Sequence, residues 1–259
     1  NRELMIRILK YVILDIIKNR LVLAYAIILA VLSWSLFSLE DNSAKGVLSL
    51  TNVVLLLVPL FSVIFSTIYL YNSAEFIELL VSQPLKRRDI WLGFYTGLSL
   101  ALAAAFMIGA GLPLLFFADL GMSLILITTG LLITFVFVSL AMLVTVMTRD
   151  KARGIGLAIL VWLFFAVLFD GLMLLLMFQF SDYPIEKTMI GLTSLSPIDL
   201  ARIMILLRLD VSALMGFTGA LFRDFFGSRS GEMISMALLV LWAATPLLIS
   251  GLRFRKKDL

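Results

Sequence analysis

Along the chain, long unbroken apolar runs alternate with short charged segments, and their spacing predicts the architecture. Six runs are each long enough to cross about 30 Å of hydrocarbon as a helix rising ~1.5 Å per residue. They are Leu21 to Leu39, Val47 to Tyr71, Trp91 to Phe117, Met122 to Met147, Gly154 to Phe180 and Met233 to Leu252. Only the fifth contains a charge, Asp170. The pattern predicts an all-α polytopic membrane protein forming one transmembrane domain over residues 1–259. The first run follows a charged segment and lacks a small-residue cleavage pattern, so it reads as a retained span rather than a signal peptide.

Between the runs the polar segments differ in kind. From Arg2 to Arg20 the residues Met5, Ile6, Leu9, Val12, Ile13, Ile16 and Ile17 share one helical face, with Glu3, Arg7, Lys10 and Lys18 on another. This predicts an interfacial helix over 2–20 lying on the cytoplasmic leaflet. The alternative is a cytoplasmic extension of the first span. Residues 72–90 form a second cytoplasmic segment, EFIELLVSQPLKRRDI at its centre. Asn72 to Glu75 offers a helix cap, Phe76 to Val81 supplies one or two apolar turns, and Pro84 stops the helix before the third span. The product is a short helix across the cytoplasmic mouth. Glu75 and Glu78 share a face that could meet basic residues of a partner, and Lys86, Arg87 and Arg88 sit at headgroup height. By physics alone this could also be only a solvated turn with a basic cluster.

The outer connection from Ser181 to Glu232 (181–232) is much longer than the others and predicts helices of its own. Ser196-Pro197-Ile198-Asp199 is shaped as a helix start: a capping side chain, proline at the first helical position, and an acid to meet free N–H groups. That helix should run to about Leu209, and a second should span Val211 to Phe226 and end at Gly227. Both carry apolar residues on much of their surface. They predict either a lid over the span ends or a docking platform for an outer partner.

Composition and charge sharpen this picture. The chain is 62% hydrophobic and 15% charged, with a mean hydropathy of +1.09, far above a soluble domain. Fifteen of the 21 Lys and Arg residues fall on one side of the six-span plan, in the segments around Arg2 to Arg20, Lys86 to Arg88, Arg149 to Arg153 and Arg253 to Lys257. Basic residues favour the cytoplasm, so both termini should be cytoplasmic, and the net charge of +4 signals attraction to anionic headgroups rather than nucleic acid. Cysteine and histidine are absent, which removes disulfides, thiolate metal sites and imidazole catalysis. No phosphate-binding glycine loop ending in Lys-Ser/Thr occurs, so any ATP must be bound by another chain.

Asp170 is the one ionisable residue well inside a span, in the outer half of the bilayer. A carboxylate there costs about 2.5–3.5 kcal/mol on insertion scales, so it should face protein or a water-filled cavity. It could serve as a structural hydrogen bond to a neighbouring span, or as a polar point in a dimer interface or transport path. Met173 and Met177 follow near the same face. Thioethers can bind Cu(I), which makes these two weak metal candidates, although methionine is commonly adaptable packing.

The segment Glu75, Glu78, Leu79, Leu80, Pro84, Leu85, Arg87, Ile90, Gly93 resembles the linker between spans two and three of ABC-2 type permeases. The glycine-threonine pair common before the leucines in that family is replaced here by Phe76-Ile77. The resemblance implies that this is the coupling helix, with Glu75, Phe76, Glu78, Leu79, Leu80, Pro84 and Arg87 engaging a cytoplasmic ABC ATPase. Phe76, Leu79 and Leu80 are expected to be the buried anchor of that contact. A narrower similarity, through Asp170, Pro197, Asp199, Arg202, Asp210, Leu214 and the basic tail, is to permease subunits of the NosDFY-type transporters that help mature the copper sites of nitrous oxide reductase. It implies a homodimer in the bacterial inner membrane, two ATPase subunits carrying ATP and Mg, and a periplasmic β-helical copper-handling protein. The chain itself would bind no cofactor and would not be an enzyme. Pro197, Asp199, Arg202, Asp210, Leu214 and Phe217 would dock the periplasmic partner. Transport remains open beside a second function, a mechanotransmitter that relays ATPase strokes to the outer helices without moving cargo. An intramembrane enzyme is the weakest reading, since Asp170 has no second carboxylate or histidine within the spans.

Overall fold

In a computed structural model of the chain, residues 11–40, 42–180, 191–208 and 229–256 are described, and every regular element among them is a helix. Residues 11–17 form α1. Six membrane-length helices follow: α2 (Arg20–Leu39), α3 (Ser43–Asn72), α5 (Arg87–Phe117), α6 (Leu120–Met147), α7 (Lys151–Gln179) and α9 (Arg229–Lys256). The short α4 (Ala74–Val81) joins α3 to α5, and α8 (Pro197–Arg208) lies in the connection between α7 and α9. These are the six predicted spans, with ends that differ by a few residues. The helices start where short polar side chains can satisfy free N–H groups: the side chains of Asn19, Asn42, Asp119 and Asp150 accept from the first turns of α2, α3, α6 and α7.

The N-terminal segment is not a straight extension of the first span. It breaks at Lys18 and Asn19, where Asn19 takes an extended conformation and caps α2. Val12 and Ile16 are fully buried, and the Tyr69 hydroxyl donates to Asp15 Oδ2 at 2.9 Å, tying α1 to the end of α3.

Helix α6 lies at the centre, packed against α3, α5, α8 and α9. Of the residues in its most apolar stretch 67% are buried, against 61% for α3 and 56% for α5; the share is 6% for α7, so α7 rests on the periphery with most of its circumference open to lipid or another chain. Two spans contain a widened, π-helical turn. In α5 it runs over Met107–Gly111, where Pro113 has no N–H to offer the carbonyl of Gly109 and the Leu112 N–H reaches back to Met107 instead. Helix α2 crosses that turn at Gly109, where an added Cβ would lie 2.7 Å from Leu29 Cβ and 2.8 Å from the Ala26 carbonyl oxygen, so only glycine permits the crossing. In α7 the widened turn covers Phe164–Leu168, ending two residues before Asp170.

Candidate functional site

Two polar constructions stand out, one at each end of the bundle. At the basic end, α4 forms an elbow between α3 and α5. Its first turn carries Glu75, favourable beside the free N–H groups, but Ser73 makes no side-chain capping bond. The Asn72 amide, expected to help cap this helix, instead accepts from Lys151 Nζ at 2.7 Å, while the Tyr71 hydroxyl donates to the Thr148 carbonyl at 3.1 Å. These bonds hold the α6–α7 connection against the root of the elbow.

The apolar side chains of α4 divide between two directions. Ile77 and Leu80 are buried inside the chain, and Phe76 packs between Tyr11 and Phe94, with ring centroids 5.1 and 6.2 Å away. Leu79 projects outward with 64% of its surface exposed, flanked by exposed Glu75 and Glu78. Of the three residues expected to anchor the ATPase contact, Phe76 and Leu80 pack against their own bundle, and Leu79 is presented outward. Pro84 is exposed in the turn that ends the helix. Arg87 is engaged within the chain, where its guanidinium donates to the Arg255 carbonyl at 3.3 Å and caps the end of α9. Beneath α4 lies a cavity of about 280 Å³ lined in part by Tyr71, Glu78, Trp91 and Arg149. The elbow is therefore a braced lever with a small external face.

At the other end, α8 begins as the sequence predicts: the Ser196 hydroxyl accepts from the Asp199 N–H at 3.2 Å, and Pro197 occupies the first helical position. Helix α8 packs against α6 and α9, and the Trp242 indole donates to the Ser194 carbonyl at 3.1 Å. Within this frame Arg202 reaches Asp170 of α7 at 2.7 Å and Asp199 at 3.4 Å. Three of the residues expected to dock an outer partner are placed within this frame. Pro197 and Asp199 are buried, and Arg202 turns toward Asp170, as a carboxylate in a span requires a cation. Asp210, Leu214, Phe217 and the second outer helix lie outside the described residues.

Asp170 thus makes an ion pair with a loop helix rather than a hydrogen bond to a neighbouring span. Sequence reasoning missed the pair, although a signal existed: the lone acid of the spans needs a counterion, and Arg202 stands three residues beyond Asp199 on an outer helix with a clear N-terminal cap. Asp199 Oδ2 is buried beside the Asp170 carboxylate, to which a protonated Asp199 can donate. Burial, and then the neighbouring Asp170 carboxylate, push the Asp199 carboxyl up to about 7, against the pull of Ser196 and Arg202. An unfolded aspartate titrates near about 3.9. The folded chain therefore holds this proton more tightly, and the resulting stabilisation is full below about pH 4 and lost as pH rises through about 7. Asp199→Asn, which keeps the neutral form, should match the parent near about pH 4 and unfold at a higher temperature near about pH 8. Thermal unfolding in detergent across this range checks it; a variant less stable than the parent at the upper end would show that the charged carboxylate is required.

Met173 and Met177 are half-buried about one and two turns further along α7. Among the described residues no group of three or more His, Cys, Asp or Glu side chains converges to assist them. Two thioethers alone make a poor resident copper site.

Comparison with known proteins places these features in context. Residues 7–259 match the model of the ABC-2 family transporter protein. The chain is 27% identical over 266 residues to a probable ABC transporter permease protein NosY of Pseudomonas aeruginosa, covering 95% of each chain. It is likewise 27% identical over 277 residues to a probable ABC transporter permease protein NosY of Stutzerimonas stutzeri, covering 94% of this chain and 95% of that one.

Proposed function

The chain belongs to the ABC-2 transporter family, and from that membership we propose that it is a permease subunit in which α4 receives the strokes of a separate cytoplasmic ATPase and passes them to a periplasmic step of copper-site assembly. The observation that carries this reading is the form of α4. It is an eight-residue helix braced by Ile77, Leu80 and Phe76 from inside, offering Leu79 between two acids outside. A rigid helix fixed to two spans transmits a few ångströms of motion that a floppy loop would absorb. The copper-site assignment rests on the likeness to the two NosY proteins. It brings with it a homodimer in the bacterial inner membrane, ATP and Mg held by the ATPase, and a periplasmic copper-handling partner.

The orientation follows from the basic residues, which cluster at the α4 end. A tag at Leu259 should be reached only from the cytoplasm and one inserted near Asp182 only from the periplasm. Impermeant labelling of intact cells and of opened cells distinguishes the two, and periplasmic labelling of both positions would remove the six-span plan. The proposal as a whole is tested by purifying the full chain with its ATPase and measuring hydrolysis in lipid with and without substitutions on the outer face of α4.

A second reading, relay without cargo, is favoured by the Asp170–Arg202 pair. It links the peripheral span α7 directly to the outer helix α8, so that motion of one is imposed on the other. Under this reading the interface between two copies stays sealed and apolar in the ATP-bound state, whereas transport demands a continuous polar path.

A further inference from the structure

A groove of about 240 Å³ lies between the first turns of α5 and the last turns of α9, and nothing in the coupling reading uses it. Its floor and walls are apolar. Trp91 is locked in place, its indole donating to the Ser250 hydroxyl at 3.0 Å and its ring stacked on Phe254 with centroids 4.4 Å apart. Leu248 and Leu252 stand beside it, 65% and 60% exposed and facing outward from the bundle. Gly251 lines the same groove and leaves it open, since a Cβ there would meet only Trp91 Cδ1 at an ordinary 3.7 Å. At the mouth are two exposed guanidinium groups, Arg88 and Arg255. Among the described residues no carboxylate lines the groove, and the ion pairs found there both belong to Arg202.

We propose that this groove is a binding site for an anionic phospholipid, with the phosphate held between Arg88 and Arg255 and an acyl chain lying along Leu248, Leu252 and Trp91. Arginine carries a fork of donors matched to phosphate oxygens, and basic pockets between spans at headgroup depth are suited to anionic headgroups. The apolar floor selects a lipid over a free phosphate, because a soluble anion would gain nothing from it and would leave Leu248 and Leu252 uncovered. The site also has a structural consequence. Arg87, next to Arg88, caps α9 through the Arg255 carbonyl, so a lipid bridging Arg88 and Arg255 would clamp the same two helices from the lipid side at the foot of the elbow. Only the assignment to the cytoplasmic leaflet rests on the proposed function; the binding itself does not.

The test uses the full chain in phosphatidylcholine vesicles containing a minor fraction of photo-crosslinkable phosphatidylglycerol or, in parallel, photo-crosslinkable phosphatidylcholine. Labelled peptides are mapped by mass spectrometry. Each surface arginine contributes about 1 kcal/mol of attraction to anionic lipid, or about fivefold, so labelling around Leu248 and Leu252 should favour phosphatidylglycerol by roughly 30-fold. Arg88→Gln with Arg255→Gln should bring the preference close to unity, and Arg88→Lys with Arg255→Lys should keep most of it. Gly251→Phe, which fills the groove and leaves both arginines intact, should lower labelling by both lipids. Equal labelling of the two lipids by the parent chain overturns the proposal. So does a preference that survives the double glutamine change, or one abolished by millimolar inorganic phosphate, which would make the arginines a soluble-anion site. Because the readout is lipid binding, a failure here leaves ATPase coupling standing, and a failure of coupling leaves this site standing.

Discussion

Leu79→Asp should detach the ATPase while leaving the permease folded. Leu79 is the apolar side chain that α4 turns outward, so its loss removes little from the bundle. A partner that buries it gains about 1.5–3 kcal/mol. An aspartate in its place forfeits that gain and adds the cost of a buried carboxylate without a partner, on the order of several kcal/mol. The sum weakens the complex by more than about a hundredfold at 1.4 kcal/mol per tenfold. Glu78→Gln should do far less, since an exposed ion pair contributes about 0–1 kcal/mol, and its effect should fade as salt is raised. Leu80→Asp is the contrasting control: Leu80 is only 7% exposed, so that change should loosen the elbow itself. Co-purification with the ATPase and hydrolysis in lipid read all three. Normal assembly and activity in Leu79→Asp would end the assignment of α4 as the coupling element.

Arg202→Leu should be the most destabilising single change at the opposite end. It strands Asp170 within a span and leaves the buried Asp199 beside it without a nearby cation. Removing one partner of a fully buried pair costs about 3–5 kcal/mol. Here both side chains keep about a third of their surface open, 32% and 34%, which places the expected loss nearer about 2–3 kcal/mol. Asp170→Asn should cost less, because a neutral amide can still accept from Arg202. In the Arg202→Leu background, Asp170→Asn should restore stability, giving a coupling energy of about 1–3 kcal/mol in a double-mutant cycle. Thermal unfolding in detergent measures the cycle, and strictly additive losses would mean that the pair contributes nothing.

The six spans were readable in the sequence because hydrocarbon imposes a length and a composition that few other structures share. The start of α8 was readable for a different reason: Ser196 and Pro197 act on their own neighbours, through bonds that need no distant partner. What escaped was tertiary. An eight-residue helix with apolar residues at Phe76, Ile77, Leu79, Leu80 and Val81 does not declare which of them faces inward. That is decided by Tyr11 and Phe94, residues distant in the chain. The counterion of Asp170 was hidden because it arrives from 32 residues away on another helix.

The widened turn at Phe164–Leu168 has a consequence for direction. An α-helix turns by about 100° per residue, so twelve residues of regular helix would set Asp170 about 120° away from Ala158, the fully buried residue of the lower half of α7. A π turn accommodates one residue more without advancing the helix by a full step, which brings that offset back to about 20°. Gly154, Ala158, Trp162 and Asp170 then lie along one stripe despite the helix's period. The first two are buried against the bundle, the third donates to the Leu56 carbonyl of α3 at 3.1 Å, and the last meets Arg202. The extra residue thus acts as a phase corrector: it allows a span that touches the bundle along one narrow line to hold that line from the basic end to the ion pair.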